Sequence, residues 1–210
     1  MDLTLWLAFF AAAWAISLSP GAGAVAAMSA GLNHGFARGY CMTFGLILGI
    51  WTQVLLVGVG LGALIAASAT AFTAIKWLGV AYLLWLGIAQ WRAPARPLQA
   101  EGAAATAGVT RRSLVLRGWA INSVNPKGTL FMLAVVPQFL VPSQPLLPQY
   151  LVIAATLAFT DLVVMAGYTL LAARVLKALR DPAHVRLMNR GFGSLFVVAA
   201  GLLATVKRSA

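Results

Sequence analysis

The chain has 210 residues, of which 61% are hydrophobic and only 9% are charged, and its mean hydropathy is +0.90. A water-soluble domain carries about 25% charged residues to cover its surface, so the composition excludes a soluble protein and predicts an all-α integral membrane protein. The net charge of +11 then indicates basic loops beside anionic lipid headgroups, and we do not expect nucleic-acid binding.

The first apolar segment runs from about Leu3 to Val25 and is interrupted by Ser19-Pro20-Gly21. A signal peptide would have a basic region before its apolar region. This chain instead opens with Asp2, and its first basic residue is Arg38. We therefore predict that the segment is a retained transmembrane helix.

Five further apolar segments have lengths close to the roughly 20 residues that cross a bilayer. They run from about Cys41 to Ala66, Ala71 to Gln90, Leu114 to Leu140, Gln149 to Ala173 and Gly191 to Val206. The span from Leu114 contains the interruption Asn125-Pro126-Lys127, and the last span is short at sixteen residues. We predict one transmembrane transporter domain over residues 1–210, with repeat one at about 1–90, a basic cytoplasmic loop at about 91–113 and repeat two at about 114–210.

The loop charges predict the orientation in the membrane. Eleven of the fifteen Lys and Arg residues lie between spans one and two, three and four, or five and six, and three lie on the opposite side. The positive-inside rule places the more basic side in the cytoplasm. We therefore expect both termini on the periplasmic side of the inner membrane.

The two halves of the chain carry matching interruptions. Pro20 and Pro126 lie 106 residues apart, each in the first span of a group of three. Because three is odd, the second group would be an inverted copy of the first in the membrane. Inverted repeats with broken helices form the substrate site of many secondary transporters. We predict six transmembrane helices in two inverted three-helix repeats, with helices 1 and 4 broken at the proline motifs.

The interruptions themselves predict substrate-binding groups. In lipid, the backbone groups that proline frees are tolerated only where protein or a water-filled cavity satisfies them. Free amides at the start of a new helical segment suit an anion such as a carboxylate. The candidate substrate-binding residues at the breaks are Ser19, Pro20 and Gly21 in the first and Asn125, Pro126 and Lys127 in the second. The alternative is a pair of plain proline kinks in a helical bundle.

Lys127 and Asp161 are the charged residues deep inside the predicted spans. A charge at mid-bilayer costs about 2.5–3.5 kcal/mol on insertion scales, so such residues usually pair or line a polar path. Asp161 could bind a substrate ammonium, exchange a proton or neutralise Lys127. It is therefore a candidate for both substrate binding and proton coupling.

An enzyme is not expected from these residues. A membrane metalloprotease needs two or three ligands on one helix face, and both histidines, His34 and His184, fall in predicted loops. The single cysteine, Cys41, forms neither an intramolecular disulfide nor a metal cluster by itself. We expect no metal site, no cofactor and no catalytic residue.

Several stretches resemble the lysine-exporter superfamily of bacterial amino-acid exporters. They are Leu18-Ser19-Pro20-Gly21, Lys76-Trp77-Leu78-Gly79, Asn125-Pro126-Lys127 and Pro137-Gln138-Phe139. Other stretches resemble one subgroup of that family, and these include Leu32-Asn33-His34-Gly35, Gly167-Tyr168 and Gly193-Ser194-Leu195-Phe196. Many relatives have a proline and an Asp or Asn where Ala22 and Gly23 stand here, which leaves this site more dependent on backbone groups.

The resemblance implies an inner-membrane exporter of homoserine, homoserine lactone and related small amino acids, driven by the proton gradient. The implied partners are a small amino-acid substrate, protons and the lipid bilayer, and a homo-oligomer is left open. One alternative is the same fold with another substrate, such as threonine, leucine or a basic amino acid. A second alternative is a membrane protein that transports nothing.

Overall fold

The computed structural model describes residues 2–67, 69–94, 109–172, 174 and 181–205. Within these ranges every regular element is a helix, which agrees with the predicted all-α class. The helices are α1 (Leu3–Leu18), α2 (Ala22–His34), α3 (Phe36–Gly39), α4 (Cys41–Ala67), α5 (Ala69–Arg92), α6 (Arg111–Ser123), α7 (Pro126–Val135), a 3-10 helix (Val136–Phe139), α8 (Leu146–Leu170) and α9 (Pro182–Thr205). Most of the predicted basic loop, residues 95–108, lies outside the described residues.

The first predicted break separates α1 from α2. Ser19 takes an extended conformation with φ −71° and ψ 114°, as expected for a residue that precedes proline. Helix α2 then starts at Ala22, and the axes of α1 and α2 differ in direction by 55°. The proline therefore ends one helix and redirects the chain into another.

The second predicted break separates α6 from α7. Asn125 is extended, with φ −69° and ψ 110°, and Pro126 occupies the first turn of α7. Proline fits that position because its missing N–H would have no helical partner there. The side chain of Asn125 accepts a hydrogen bond from the backbone N–H of Lys127 at 3.1 Å and caps the helix.

Two of the described helical stretches are long and apolar enough to cross a bilayer, Phe36–Gly58 and Leu146–Leu170. The bent pair of α1 and α2 makes a third if it is one broken span. By this criterion the described residues account for up to three of the six predicted spans. The six-span inverted repeat stays a prediction.

Two helices extend well beyond the predicted spans. Helix α2 continues past Val25 to His34, and it ends where Gly35 takes a positive φ of 71°. Helix α9 begins at Pro182 rather than near Gly191. The side chain of Asp181 accepts a hydrogen bond from Ala183 N at 2.8 Å and caps the start of the helix. Hydropathy alone had predicted this start nine residues further along the chain, because the first turns of α9 are polar.

Helix α4 packs along α6, and α5 packs along α9. In the first pair, a side chain at Gly45 would meet the carbonyl oxygen of Val115, and one at Gly118 would meet that of Met42. The lack of side chains at both positions lets the two backbones touch. Gly45 and Gly118 therefore permit the close packing of α4 on α6.

Two apolar clusters form the interior. The aromatic cluster includes four phenylalanines with aliphatic residues of α1, α4, α5, α7, α8 and α9: Phe9, Phe131, Phe139, Phe196, Val54, Leu83, Ile153 and Leu157 are among its members. The alanine–methionine cluster joins α2, α4, α6 and α8 and contains Ala24, Ala27, Met28, Ala30, Met42, Leu46, Leu114, Val164, Met165 and Ala172. Both helix breaks lie between the clusters.

Candidate functional site

A cavity lies where the two breaks meet. Its volume is about 70 Å³, counted as the space open to the centres of water molecules, and one water needs about 10–15 Å³ on that scale. Its polar walls are formed by Ser17, Ser19, Gln53, Asn122, Asn125, Lys127 and Asp161, and its apolar walls include Ile16, Ala24, Leu46, Ile50, Phe131, Met132, Leu157 and Met165. The cavity therefore holds several small polar groups inside a mostly apolar shell, as ligand sites do.

Five of the seven predicted site residues line this cavity: Ser19, Gly21, Asn125, Lys127 and Asp161. The remaining two, Pro20 and Pro126, lie at the breaks themselves. The fold thus brings together two chain breaks and a carboxylate that lie 34 to 142 residues apart in the sequence.

The start of α2 presents backbone amides to the cavity. Its N-cap, Gly21, supplies no side-chain acceptor, and the amides of a first helical turn have no partner within their own helix. Gly21, Gly23 and Ala24 all line the cavity. Unpartnered amides and the positive end of the helix dipole together favour an anion at this point.

The second break offers fewer free amides than predicted. Pro126 has no N–H, and the N–H of Lys127 is already bonded to the Asn125 side chain. The fourth residues are alike, since the N–H of Thr129 bonds to the carbonyl of Asn125 as that of Val25 bonds to the carbonyl of Gly21. The two breaks are therefore unequal in their first turns, and the start of α2 offers more free amides to an anion.

Lys127 connects the two breaks. Its ammonium donates a hydrogen bond of 2.8 Å to the carbonyl oxygen of Ser19, one of the carbonyls that the end of α1 leaves without a helical partner. The carbonyl of the preceding residue, Leu18, accepts a hydrogen bond from the Tyr168 hydroxyl at 2.7 Å. The side chain of Lys127 also passes within 3.6 Å of the position of a Cβ on Gly21. Its positive charge therefore lies beside the start of α2.

Asp161, which also lines the cavity, is held by a hydroxyl group of α1. One of its carboxylate oxygens accepts a hydrogen bond of 2.7 Å from Ser17 Oγ, and Ser17 Oγ lies 3.0 Å from Thr160 Oγ1. The Thr160 hydroxyl also bonds to the carbonyl of Leu157 at 3.1 Å. Asp161 is only 7% exposed, so its position is fixed by α1 as well as by its own helix, α8.

Lys127 and Asp161 line the same cavity and carry opposite charges when both are ionised. Among the residues that the structure describes, however, their charged atoms do not come within the 4.0 Å of an ion pair. Each charge has its own hydrogen-bond partner instead. A zwitterion carries both opposite charges and matches this arrangement, with its anionic group toward α2 and Lys127 and its cationic group toward Asp161.

Gln53 anchors the second break to α4. Its amide nitrogen donates to the carbonyls of Asn122 and Asn125, at 2.8 and 3.3 Å, and to Thr129 Oγ1 at 3.0 Å. The Asn122 side chain in turn donates to the carbonyl of Leu46 at 2.8 Å. These bonds satisfy backbone carbonyls where α6 ends, as buried polar groups require.

Sequence reasoning did not find Ser17, Thr160 or Tyr168 as site residues. Tyr168 lies seven residues after Asp161, two helical turns along the same face of α8, and Ser17 lies just before the break. Polar residues at those spacings were the available signal. Their contacts with α1 or α8 depend on how the two helices pack, which a single sequence does not give.

The sequence was compared with known families and proteins. The profile of the family described as "LysE type translocator" matches residues 14–207. A homoserine/homoserine lactone efflux protein of Salmonella typhimurium is 40% identical over 209 residues and covers 100% of both chains. An uncharacterized membrane protein of Vibrio cholerae is 42% identical over 207 residues, covering 99% of this chain and 100% of its own.

A leucine efflux protein of an Enterobacter species is 30% identical over 209 residues, covering 97% of this chain and 96% of its own. No solved structure matches the chain. The family match covers far more than half of the sequence and confirms the resemblance found in the sequence motifs. This chain belongs to the LysE-type translocator family.

Proposed function

We propose that this protein exports homoserine, homoserine lactone and related small amino acids across the inner membrane, in exchange for protons. The observation that carries the proposal is the cavity in which an uncapped helix start, Lys127 and Asp161 come together. The full-length relative at 40% identity, which is named for homoserine and homoserine lactone efflux, supports the choice of substrate.

The proposed membrane arrangement has six spans in two inverted repeats, with both termini in the periplasm. The two broken helices at matched positions support it. So does an exchange of contacts between the halves: α2 of the first half packs on α8 of the second, while α7 of the second packs on α4 of the first. The excess of basic residues on one side supports the orientation.

Homoserine is a zwitterion with a short hydroxyl-bearing side chain. Its carboxylate would bind the amides of Ala22, Gly23 and Ala24, with the Lys127 ammonium beside them. Its ammonium would bind the carboxylate of Asp161. The lactone lacks a free carboxylate, so it would depend on the ammonium contact and the apolar wall.

Asp161 would also couple transport to protons. An ionised Asp161 attracts the substrate ammonium, and a protonated Asp161 does not. A proton arriving from the periplasmic side would therefore displace the substrate, and loss of that proton to the cytoplasm would restore the site. This cycle moves a proton inward as the amino acid moves outward.

The test is homoserine efflux from preloaded proteoliposomes that contain only this protein, with and without an imposed pH gradient. We expect efflux that rises with the gradient and is inhibited by homoserine lactone. Equal efflux without a gradient would contradict proton coupling while leaving export in place. No flux of any amino acid would contradict the transporter assignment and favour a non-transporting membrane protein.

A leucine exporter is the second candidate. The apolar wall of the cavity, with Ile50, Phe131, Met132 and Leu157, suits an aliphatic side chain, and the 30% identical relative is named for leucine efflux. Competition separates the candidates, because unlabelled leucine would then inhibit export more strongly than homoserine does. Threonine and lysine belong in the same competition series.

A further inference from the structure

We propose that Gln53 recognises the side-chain hydroxyl of the transported amino acid and so sets the preference for hydroxylated substrates. The inference rests on the proposed export function and adds a specificity-determining residue to it. Its basis is an unpartnered acceptor oxygen in the wall of the cavity. Gln53 is 2% exposed and lines that cavity, yet its Oε1 atom has no hydrogen-bond partner among the residues that the structure describes.

The orientation of the Gln53 amide follows from its neighbours. Its nitrogen faces the carbonyls of Asn122 and Asn125, which accept hydrogen bonds only. It also faces the Thr129 hydroxyl, which donates its own proton to the carbonyl of Asn125 at 3.1 Å. Turning the amide over would place an oxygen against three acceptors. The unpartnered atom is therefore the oxygen, and it can only accept.

The residue beside this oxygen is a glycine, so no side chain competes for the position next to it. A Cβ on Gly128 would lie 2.8 Å from Gln53 Oε1, and Gly128 itself lines the cavity. A larger residue would cover or displace the oxygen. Glycine at position 128 thus leaves this buried acceptor without a side chain packed against it from α7.

A buried acceptor without a partner destabilises the empty site, and a ligand that donates to it recovers that loss. A hydroxyl on a short side chain is such a donor, whereas a methyl group is not. Sites built to bond a substrate hydroxyl reject the analogue that lacks it far more strongly than apolar pockets reject an extra methylene. The Ser19 hydroxyl also has no partner within the described part of the chain, but it discriminates less because a hydroxyl both donates and accepts.

Gln149 provides a matched control. It is also a buried glutamine, 4% exposed, and its amide nitrogen donates to the carbonyls of Val141 and Pro145 at 3.0 and 3.1 Å. Its oxygen, however, accepts from the N–H of Val141 at 2.7 Å. Both glutamines therefore bind backbone carbonyls through their amide nitrogens. Of the two, Gln53 is the one whose oxygen has no partner among the described residues and which lines the cavity between the breaks.

The experiment compares three substrates in proteoliposomes: L-homoserine, L-2-aminobutyrate, which has the same carbon chain without the hydroxyl, and homoserine lactone, which lacks the free hydroxyl. For the wild type we expect homoserine to be preferred over 2-aminobutyrate by roughly tenfold or more at low concentration. Gln53→Met should lower homoserine transport to the level of 2-aminobutyrate. Gln53→Met also removes the bonds to the carbonyls of Asn122 and Asn125, so some loss for all three substrates is expected. Transport of 2-aminobutyrate and of the lactone should nevertheless fall much less than that of homoserine, since neither has the hydroxyl that Gln53 would bond.

Gly128→Ala gives a second, independent test, since it keeps the amide and moves its oxygen. It should reduce the homoserine preference in the same direction, and Gln149→Met should leave the preference unchanged. An unchanged preference in both cavity variants, or a parallel loss of all three substrates, would overturn the role of Gln53. If the wild type carries other amino acids but not homoserine, the proposed substrate is wrong. The ratio of serine transport to alanine transport then tests Gln53 in place of the ratio of homoserine to 2-aminobutyrate.

Discussion

The ammonium of Lys127 donates a 2.8 Å hydrogen bond to the backbone carbonyl of Ser19, so a side chain from the start of α7 caps the end of α1. The two residues are 108 positions apart, one at each predicted break. A cation at the negative end of a helix dipole is favourable. This bond therefore ties together the two interruptions and keeps a positive charge at the wall of the cavity.

Lys127→Met should destabilise the protein and impair export. The substitution keeps the length of the side chain but leaves the Ser19 carbonyl without its partner, and loss of a hydrogen bond to a charged group costs about 1.5–3 kcal/mol. Denaturant unfolding in one detergent measures the first effect, and homoserine efflux measures the second. Lys127→Arg is the control, because it keeps the charge and should retain most of the stability. Wild-type efflux by Lys127→Met would contradict a role for the ammonium.

Asp161→Asn should abolish the dependence of efflux on the pH gradient while leaving membrane insertion intact. The side chain keeps its size and can still accept from the Ser17 hydroxyl, whose bond to Asp161 is 2.7 Å, but it cannot carry a charge or exchange a proton at ordinary pH. The measurement is initial efflux at several imposed gradients, with Asp161→Glu as the charge-retaining control. Normal gradient-driven export by Asp161→Asn would remove the proposed coupling role.

Ser17→Ala should weaken substrate binding without abolishing transport. The hydroxyl of Ser17 joins Asp161 to Thr160, so its loss leaves the carboxylate less precisely placed for the substrate ammonium. We expect the KM for homoserine to rise by roughly threefold to tenfold at similar maximal rate, whereas Ser17→Thr should stay close to the wild type. A fall in maximal rate at constant KM would show instead that Ser17 acts in the transport step.

Two glycines should respond oppositely to alanine. A Cβ at Gly45 would meet the Val115 carbonyl in the contact between α4 and α6, whereas one at Gly167, within α8, would meet no atom of the described residues within 4 Å. Gly45→Ala should lower the free energy of unfolding by about 1–3 kcal/mol because it overpacks the contact. Gly167→Ala should raise the free energy of unfolding by about 0.5–1 kcal/mol because alanine favours a helix more than glycine does. Unfolding of both variants in the same detergent checks this pair, and equal stabilities would contradict the close contact.

The orientation can be tested with single cysteines in a Cys41→Ser background. Asn33 borders a wide cleft between α2 and α6, on the more basic side, and Leu147 is exposed at the opposite side, at the start of α8. A membrane-impermeant thiol reagent should label Asn33→Cys in inside-out vesicles and Leu147→Cys in right-side-out vesicles. The reverse pattern would place the termini in the cytoplasm.

The sequence was sufficient to predict the positions of both helix breaks, because proline constrains the chain locally. The sequence also pointed to Lys127 and Asp161, both of which line the cavity, because a charged residue is unusual in an apolar span. The predicted end of the second span, Ala66, lies one residue before Ala67, where α4 ends in the structure. These features depend on neighbours in the sequence or on composition.

Other features of the site depend on packing and were beyond sequence reasoning. The bonds of Gln53 to the end of α6 and the bond of Ser17 to Asp161 join residues 69 and 144 positions apart. The inequality of the two breaks also escaped prediction. It arises because the side chain of Asn125 caps α7, whereas Gly21 at the start of α2 has no side chain.

The two apolar clusters that enclose the cavity differ in how firmly they hold their helices together. A buried phenylalanine contributes a large contact area and a defined ring geometry, and four of them lie in the aromatic cluster. The opposite cluster consists of alanine, methionine, leucine and valine, in which small side chains bury little area and methionine adapts its shape easily. Separating helices should therefore cost less free energy on the alanine–methionine side. That cluster includes Leu114, in the first turn of α6 beside Arg111 and Arg112, the side from which an exported molecule would enter in the proposed orientation.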